Sequence, residues 1–214
     1  MTSLNTCTGP IDLIKRVKER VDACPGIKLA LGGHSQGGAV VAVATPQIPQ
    51  KYLSSIVAIT MFGSPPCSDL TKSSIAGVKE LGTRCKSFCN KGDTICDSSG
   101  PMGNGGPRAK CVIKQQIRGL SAPGDISINQ GTMYPSFAAP PPLNESEVLE
   151  LKRLNKQAAA TCGEDERGHV SKGGGGMAAH MAYNIDGYYV AAASCYIAKQ
   201  YKASSGAAAQ KANT

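Results

Sequence analysis

The chain has 214 residues, 23 Lys and Arg against 15 Asp and Glu, and a formal net charge of +8. Its basic residues are dispersed and no aromatic platform accompanies them, which argues against nucleic-acid binding. No apolar run reaches the eighteen residues of a membrane-spanning helix, and nine cysteines without a Cys-x-x-Cys pair favour disulfides in an oxidising compartment over a zinc site.

Pro10 fits the first turn of a helix in which Ile11, Ile14, Val17 and Val21 share one face while Lys15, Lys18, Glu19 and Arg20 cover the other. Ile27 to Leu31 then reads as a short buried strand and Ala39 to Ala44 as a helix. Between them stands Gly33-His34-Ser35-Gln36-Gly37. A serine at a sharp strand-to-helix turn is held in a strained conformation above the sheet edge, so Ser35 is the candidate nucleophile. Gly33 and Gly37 are expected to be glycine because a Cβ at either would collide with the neighbouring element. The helix start places free N–H groups beside Ser35, and the Gln36 backbone N–H is the expected oxyanion donor.

Ile56 to Phe62, followed by Gly63, reads as a second strand. The segment Arg84 to Cys96 then gives a short strand and a Gly92-Asp93 turn with Cys89 and Cys96 on either side. Asp93 is the candidate acid, the alternative being an ordinary turn aspartate. From 97 to 176 the composition shifts to glycine and proline runs, Ser98 to Pro107, Pro135 to Pro142 and Gly173 to Gly176. This stretch is expected to be a partly disordered insertion or a flap beside the site, with residues 1–96 and 177–214 forming the domain. Within it Glu145 to Ala160 reads as one helix capped by Asn144. Its face is mostly polar, with Leu149 and Leu154 as its small apolar surface.

A serine hydroxyl needs a histidine to take its proton and a carboxylate to orient that histidine. Of three histidines, His34 sits in the elbow pointing away from Ser35, and His169 lies in the charged run Gly163 to His169. His180, in Met177-Ala178-Ala179-His180-Met181-Ala182-Tyr183, directly precedes the apolar, alanine-rich stretch Ile185 to Ala198 that reads as a closing helix. His180 is the preferred base and His169 the alternative. A third reading makes His180 a structural histidine at a helix start. The order Ser35, Asp93, His180 is that of α/β-hydrolases.

Gly33-His34-Ser35-Gln36-Gly37, Cys89-Asn90-Lys91-Gly92-Asp93-Thr94-Ile95-Cys96 and His180-Met181-Ala182-Tyr183 together resemble the cutinase family, which includes acetylxylan esterases. Cys24-Pro25-Gly26-Ile27 and the strand at Ile56 are also similar. The resemblance covers about residues 10–96 and 177–200. It implies an α/β-hydrolase, a three-layer sandwich on a parallel sheet, with Ser35 as nucleophile, Asp93 as orienting acid and His180 as base. It also implies a Cys89–Cys96 disulfide and a site without a large lid, open to polymeric or lipid-like esters. The activity expected is hydrolysis of cutin-type polyesters or short-chain esters through an acyl-enzyme, acetylated xylan being the next substrate. The contrasting expectation is a catalytically weak or dead wall-binding relative.

Two features depart from the family pattern. Only residues 1–9 precede the first helix, so the N-terminal strands and the second oxyanion donor are expected to be missing; residues 97–176 separate Asp93 from His180. In the family the equivalent of Cys24 pairs within that absent region, for which Cys7 is the substitute at hand. Cys67, Cys85, Cys111, Cys162 and Cys195 are left without assigned partners. A secreted monomer without metal or cofactor is expected, although the N-terminus has no signal-peptide pattern. Asn144-Glu145-Ser146 is a glycosylation sequon, and the positive charge suits anionic wall polymers or membrane surfaces.

Overall fold

The computed structural model describes residues 8–64, 66–97, 144–171 and 174–211. In chain order its elements are α1 (Thr8–Ala23), β1 (Leu29–His34), α2 (Gln36–Ala44), a 3-10 turn (Thr45–Gln47), α3 (Gln50–Leu53), β2 (Ile56–Phe62), α4 (Ser68–Thr71), α5 (Ala76–Thr83), β3 (Cys85–Phe88), α6 (Glu145–Thr161), α7 (Met177–Met181), α8 (Tyr183–Asp186) and α9 (Tyr188–Lys211). The three strands are parallel and lie in the order β1-β2-β3.

The strands follow from their residue types. β2 lies between two neighbours and Ile56 to Met61 are all buried, which is why it is an almost unbroken apolar run rather than an alternating one. Ile59 and Met61 face a core with Ile14 and Val17 of α1, Val41 of α2, Leu53 of α3, and Val78 and Leu81 of α5. Val57 and Ala58 contact Tyr196 of α9 instead. Fully burying side chains such as Ile56, Ile59 and Met61 contributes about 1.5–3 kcal/mol each. The connections β1-α2-β2 and β2-α5-β3 carry their helices on one face, as successive right-handed crossovers in one direction must. The opposite face is left for α9, which packs on β2 and carries α6. The result is the expected three-layer arrangement.

On β1 the covering is incomplete. Leu31 is buried on the α2 side, but Ala30, Gly32 and His34 are exposed, because α9 lies over β2. No strand pairs with the outer side of β1 among the described residues.

Residues 144–171, expected within an insertion, pack on this body. Asn144 caps α6: its Oδ1 accepts from the Glu147 N–H at 2.9 Å and the Glu147 carboxylate accepts from the Asn144 N–H at 3.0 Å, a reciprocal capping box. The apolar contact made by α6 differs from the expected one. Leu151 and Ala158, two turns apart, are buried, whereas Leu149 is 66% exposed. Beyond α6 the chain runs along β3, with the Cys89 N–H donating to the Glu166 carbonyl and the Lys91 N–H to the His169 carbonyl, both at 2.8 Å. The Gly/Pro runs between Ser98 and Pro142 lie outside the described residues, as does Gly173.

Among the described residues three disulfides form: Cys67–Cys85 joins the start of α4 to β3, Cys89–Cys96 closes the loop after β3, and Cys162–Cys195 joins the end of α6 to α9. The first and third join cysteines for which spacing alone offered no partner. Cys24 is exposed and free, and Cys7 and Cys111 lie outside the described residues. No described helix is long and apolar enough to cross a membrane.

Candidate active site

All three strands point their carboxyl ends the same way; Ser35 and Asp93 follow the ends of β1 and β3, and His180 comes to them from α7. Ser35 comes directly after β1 and has φ 54°, a left-handed conformation that non-glycine residues rarely adopt. Its N–H donates to the Phe62 carbonyl at the end of β2, 2.8 Å away. Gly33 is required, since a Cβ there would come within 2.3 Å of the Gly37 carbonyl carbon. Gly37 is not: nothing lies within 4 Å of a Cβ at that position. The second crowded residue is Gly38, which is buried and whose Cβ would meet Ser64 Oγ at 2.2 Å. The difference arises because α2 begins at Gln36, which turns Gly37 to solvent and Gly38 inward. Gln36, first residue of α2, has no preceding helical turn to bond its N–H, and stands next to Ser35.

Asp93 and His180 are joined directly. His180 Nδ1 lies 3.0 Å from both carboxylate oxygens, with Asp93 fully buried and His180 3% exposed. An Nδ1–H held by a carboxylate leaves Nε2 as the ring's acceptor. The disulfide Cys89–Cys96 closes the loop that carries Asp93, and Asp93 forms a bridge with Gly176 just before α7. The imidazole lies against Gly63 at the end of β2, where a Cβ would approach its Nδ1 and Cε1 to 2.8 Å.

The elbow touches this pair through its other histidine. His34 Nε2–H donates to the His180 carbonyl at 2.7 Å, and the two ring centroids are 4.8 Å apart. Among the hydrogen bonds of the described residues, none joins Ser35 Oγ to the His180 ring, whose Nδ1 faces Asp93. His169 is engaged elsewhere: its ring stacks on Tyr188 at 4.0 Å and its N–H donates to Tyr189 Oη at 3.2 Å.

Electrostatics favour an ionised Asp93. Burial alone would raise the Asp93 carboxyl, but hydrogen bonds from His180, the Ile95 N–H and the Tyr183 hydroxyl outweigh it and hold the group below its ordinary value. Desolvation lowers the His34 imidazole, so it is neutral at neutral pH. Among the described residues, Cys89, Asp93 and Cys96 are clustered as metal donors could be, but both sulfurs are oxidised in one disulfide and the carboxylate is taken by His180.

The cutinase family model matches residues 5–104. Over this stretch, just under half of its length, the chain is similar to the cutinase family. The matched cutinase region holds Ser35, Gln36 and Asp93, while His180 lies beyond it. Similar proteins include a cutinase of Kineococcus radiotolerans, 31% identical over 109 residues, 46% of this chain and 36% of that protein. A probable carboxylesterase, Culp3 of Mycobacterium tuberculosis, is 30% identical over 99 residues, 41% and 37% of the two chains. A cutinase of Monilinia fructicola is 35% identical over 89 residues, 42% and 41% of the two. The chain thus spans about two fifths or less of these relatives' own length. Against solved structures it finds no significant match. The parallel sheet between two helical layers is the α/β-hydrolase fold of the cutinase family.

Several residues around the candidate site carried no role in the sequence. His34 holds the backbone of His180, and the Arg167 guanidinium donates to the Cys96 carbonyl at 3.0 Å. Glu166 accepts from the Ser87 N–H at 2.8 Å and pairs with Lys86 at 2.9 Å. The last two come from a stretch whose glycine-rich surroundings obscured its place in the body. Tyr183 had a local signal, three residues after His180 on a helical turn and therefore on the same side.

Proposed function

We propose that this chain is a serine esterase that hydrolyses carboxylic esters through an acyl-enzyme. The observation that carries the reading is the buried Asp93–His180 hydrogen bond at the sheet end where Ser35 stands in its left-handed elbow. His180 Nε2 takes the Ser35 proton as Oγ attacks the ester carbonyl, and Asp93 stabilises the imidazolium without accepting its proton. The Gln36 N–H donates to the oxyanion. The imidazolium then protonates the departing alcohol, water attacks the acyl-Ser35 ester with His180 as base, and the acid leaves.

Cutin-type polyesters and short-chain esters are the favoured substrates, with acetylated xylan second. The names of the relatives support this order. Ser35 is half-buried and Gln36 and Gly37 are exposed, which suits a substrate too large to be enclosed. Three disulfides support secretion, and we read the chain as a monomer. Two observations favour a second reading, a wall-binding relative of weak activity: among the described residues no hydrogen bond joins Ser35 Oγ to His180, and Ala30, Gly32 and His34 are exposed on one face of the elbow strand. Fluorophosphonate labelling of the folded chain, with p-nitrophenyl butyrate turnover, separates the two. Labelling of Ser35 that disappears in His180→Ala supports the esterase; a folded wild-type chain that neither labels nor turns over overturns it.

A further inference from the structure

The Asp93 carboxylate has more donors than an acid that only orients a histidine requires. Oδ1 accepts from the Ile95 N–H at 2.8 Å and the Cys96 N–H at 3.4 Å, besides His180 Nδ1. Oδ2 has a partner that no backbone supplies, the Tyr183 hydroxyl at 2.7 Å. That hydroxyl is itself oriented, because it accepts the Asn90 N–H at 2.9 Å. With a lone pair occupied by Asn90, its single proton is directed at the carboxylate. Tyr183 is 5% exposed, and burial raises its hydroxyl far above the ordinary tyrosine value, so it acts as a permanent donor. Its ring is held against Phe62 at the end of β2 and against His34 of the elbow, with centroids 5.9 and 5.4 Å away.

We propose that Tyr183 is a positioning residue of the acid–base pair, its hydroxyl fixing the rotation of the Asp93 carboxylate so that His180 is presented in one orientation to Ser35. The inference rests on the esterase reading for its consequence and on geometry for its substance. Without the hydroxyl, Oδ2 keeps only its share of His180 Nδ1, and the carboxylate is free to turn about its bond while the Asn90 N–H loses its acceptor. The same donor contributes to keeping Asp93 ionised.

Three variants of the full chain test this, read by the pH titration of the Asp93 side-chain carboxyl in carbon-13 NMR and by ester hydrolysis. Tyr183→Phe is expected to raise the proton affinity of Asp93 by about tenfold and to lower kcat about 10- to 100-fold, with KM changed less than about twofold. Tyr189→Phe is the matched control. Tyr189 is equally buried and accepts a backbone N–H from His169, but its hydroxyl points to the Cys89 carbonyl at 3.3 Å. It is expected to lower the melting temperature and leave the Asp93 titration in place. Replacing Tyr183 by 3,5-difluorotyrosine keeps the packing and strengthens the donor, so Asp93 should titrate at still lower pH. An Asp93 titration that ignores the hydroxyl in Tyr183→Phe, or in the fluorinated chain should Tyr183→Phe not fold, overturns the proposal. So does an equal shift in Tyr189→Phe. Because the titration needs no turnover, a chain that fails as an esterase still answers the question about Tyr183.

Discussion

The two halves of the candidate site are built differently. Asp93 and His180 are buried, cross-bonded and enclosed by a disulfide loop, by Arg167 on Cys96 and by the Tyr183 hydroxyl. Ser35 follows β1, whose alternate residues Ala30, Gly32 and His34 are exposed, and its elbow is held by the turn itself, by the Ser35 N–H on the Phe62 carbonyl and by His34 on the His180 carbonyl. The Asp93–His180 half is preorganised by tertiary packing. The Ser35 half is preorganised mainly by local backbone strain, which a few small residues permit.

The sharpest way to break this comparison is to remove the reacting groups one at a time. Ser35→Ala and His180→Ala should each lower turnover by about 10³-fold or more, Ser35→Ala with the melting temperature within a few degrees of wild type and His180→Ala with a larger drop, because it leaves Asp93 buried without its partner. If His180→Ala retained Ser35 labelling, the buried pair would be structural and the two halves unrelated.

Next is the elbow. Gly33→Ala should cost about 3 kcal/mol or more, because the clash is with backbone that has nowhere to move. Gly37→Ala should change stability by less than about 1 kcal/mol and in the favourable direction, as it sits in open space near the start of a helix. Thermal unfolding of the two variants checks this, and equal losses would refute the assignment of crowding to one side of the turn.

The disulfides probe the other half. Replacing Cys162 and Cys195 by serine opens a loop of 33-residue separation and should cost about 3–4 kcal/mol by loop entropy, with kcat nearly unchanged. Replacing Cys89 and Cys96 opens a separation of 7 and should cost less stability, about 2–3 kcal/mol, yet more activity, since Asp93 rides on that loop. Urea unfolding together with ester hydrolysis distinguishes the two, and a reversed ranking of the activities would dissolve the idea of a clamped acid.

The smallest effect is electrostatic. The Asp93 carboxyl is held below its ordinary value, so the stability it contributes is present above the unfolded carboxyl range near pH 4 and is lost as pH falls through the lower folded value. Stability of the wild-type chain measured downward from pH 5 should therefore fall more steeply than that of Asp93→Asn. Parallel curves would show that the hydrogen bonds at Asp93 do not favour its ionised form.

The two halves were also unequally legible. Ser35 was readable because an elbow is a local object: a strand, a turn with glycine and a helix in consecutive residues. Even there the reading misplaced one requirement, on Gly37 instead of Gly38, since which glycine faces inward depends on where α2 starts its first turn. The apolar face of α6 failed for the same reason, its buried side being set by α9 rather than by its own pattern.

By itself the sequence determined the strand-turn-helix at Ser35, the apolar face of α1, the buried character of β2, the capped start of α6 and the residue types at positions 93 and 180. These depend on contacts between near neighbours, where periodicity and turn chemistry act directly. Only the tertiary structure decided that His180 rather than His169 meets Asp93, that Cys67 joins Cys85 and Cys162 joins Cys195, and that Tyr183 and Arg167 support the acid loop. Those pairings lie 18 to 90 residues apart along the chain, and no local pattern records which distant groups come together when the layers close.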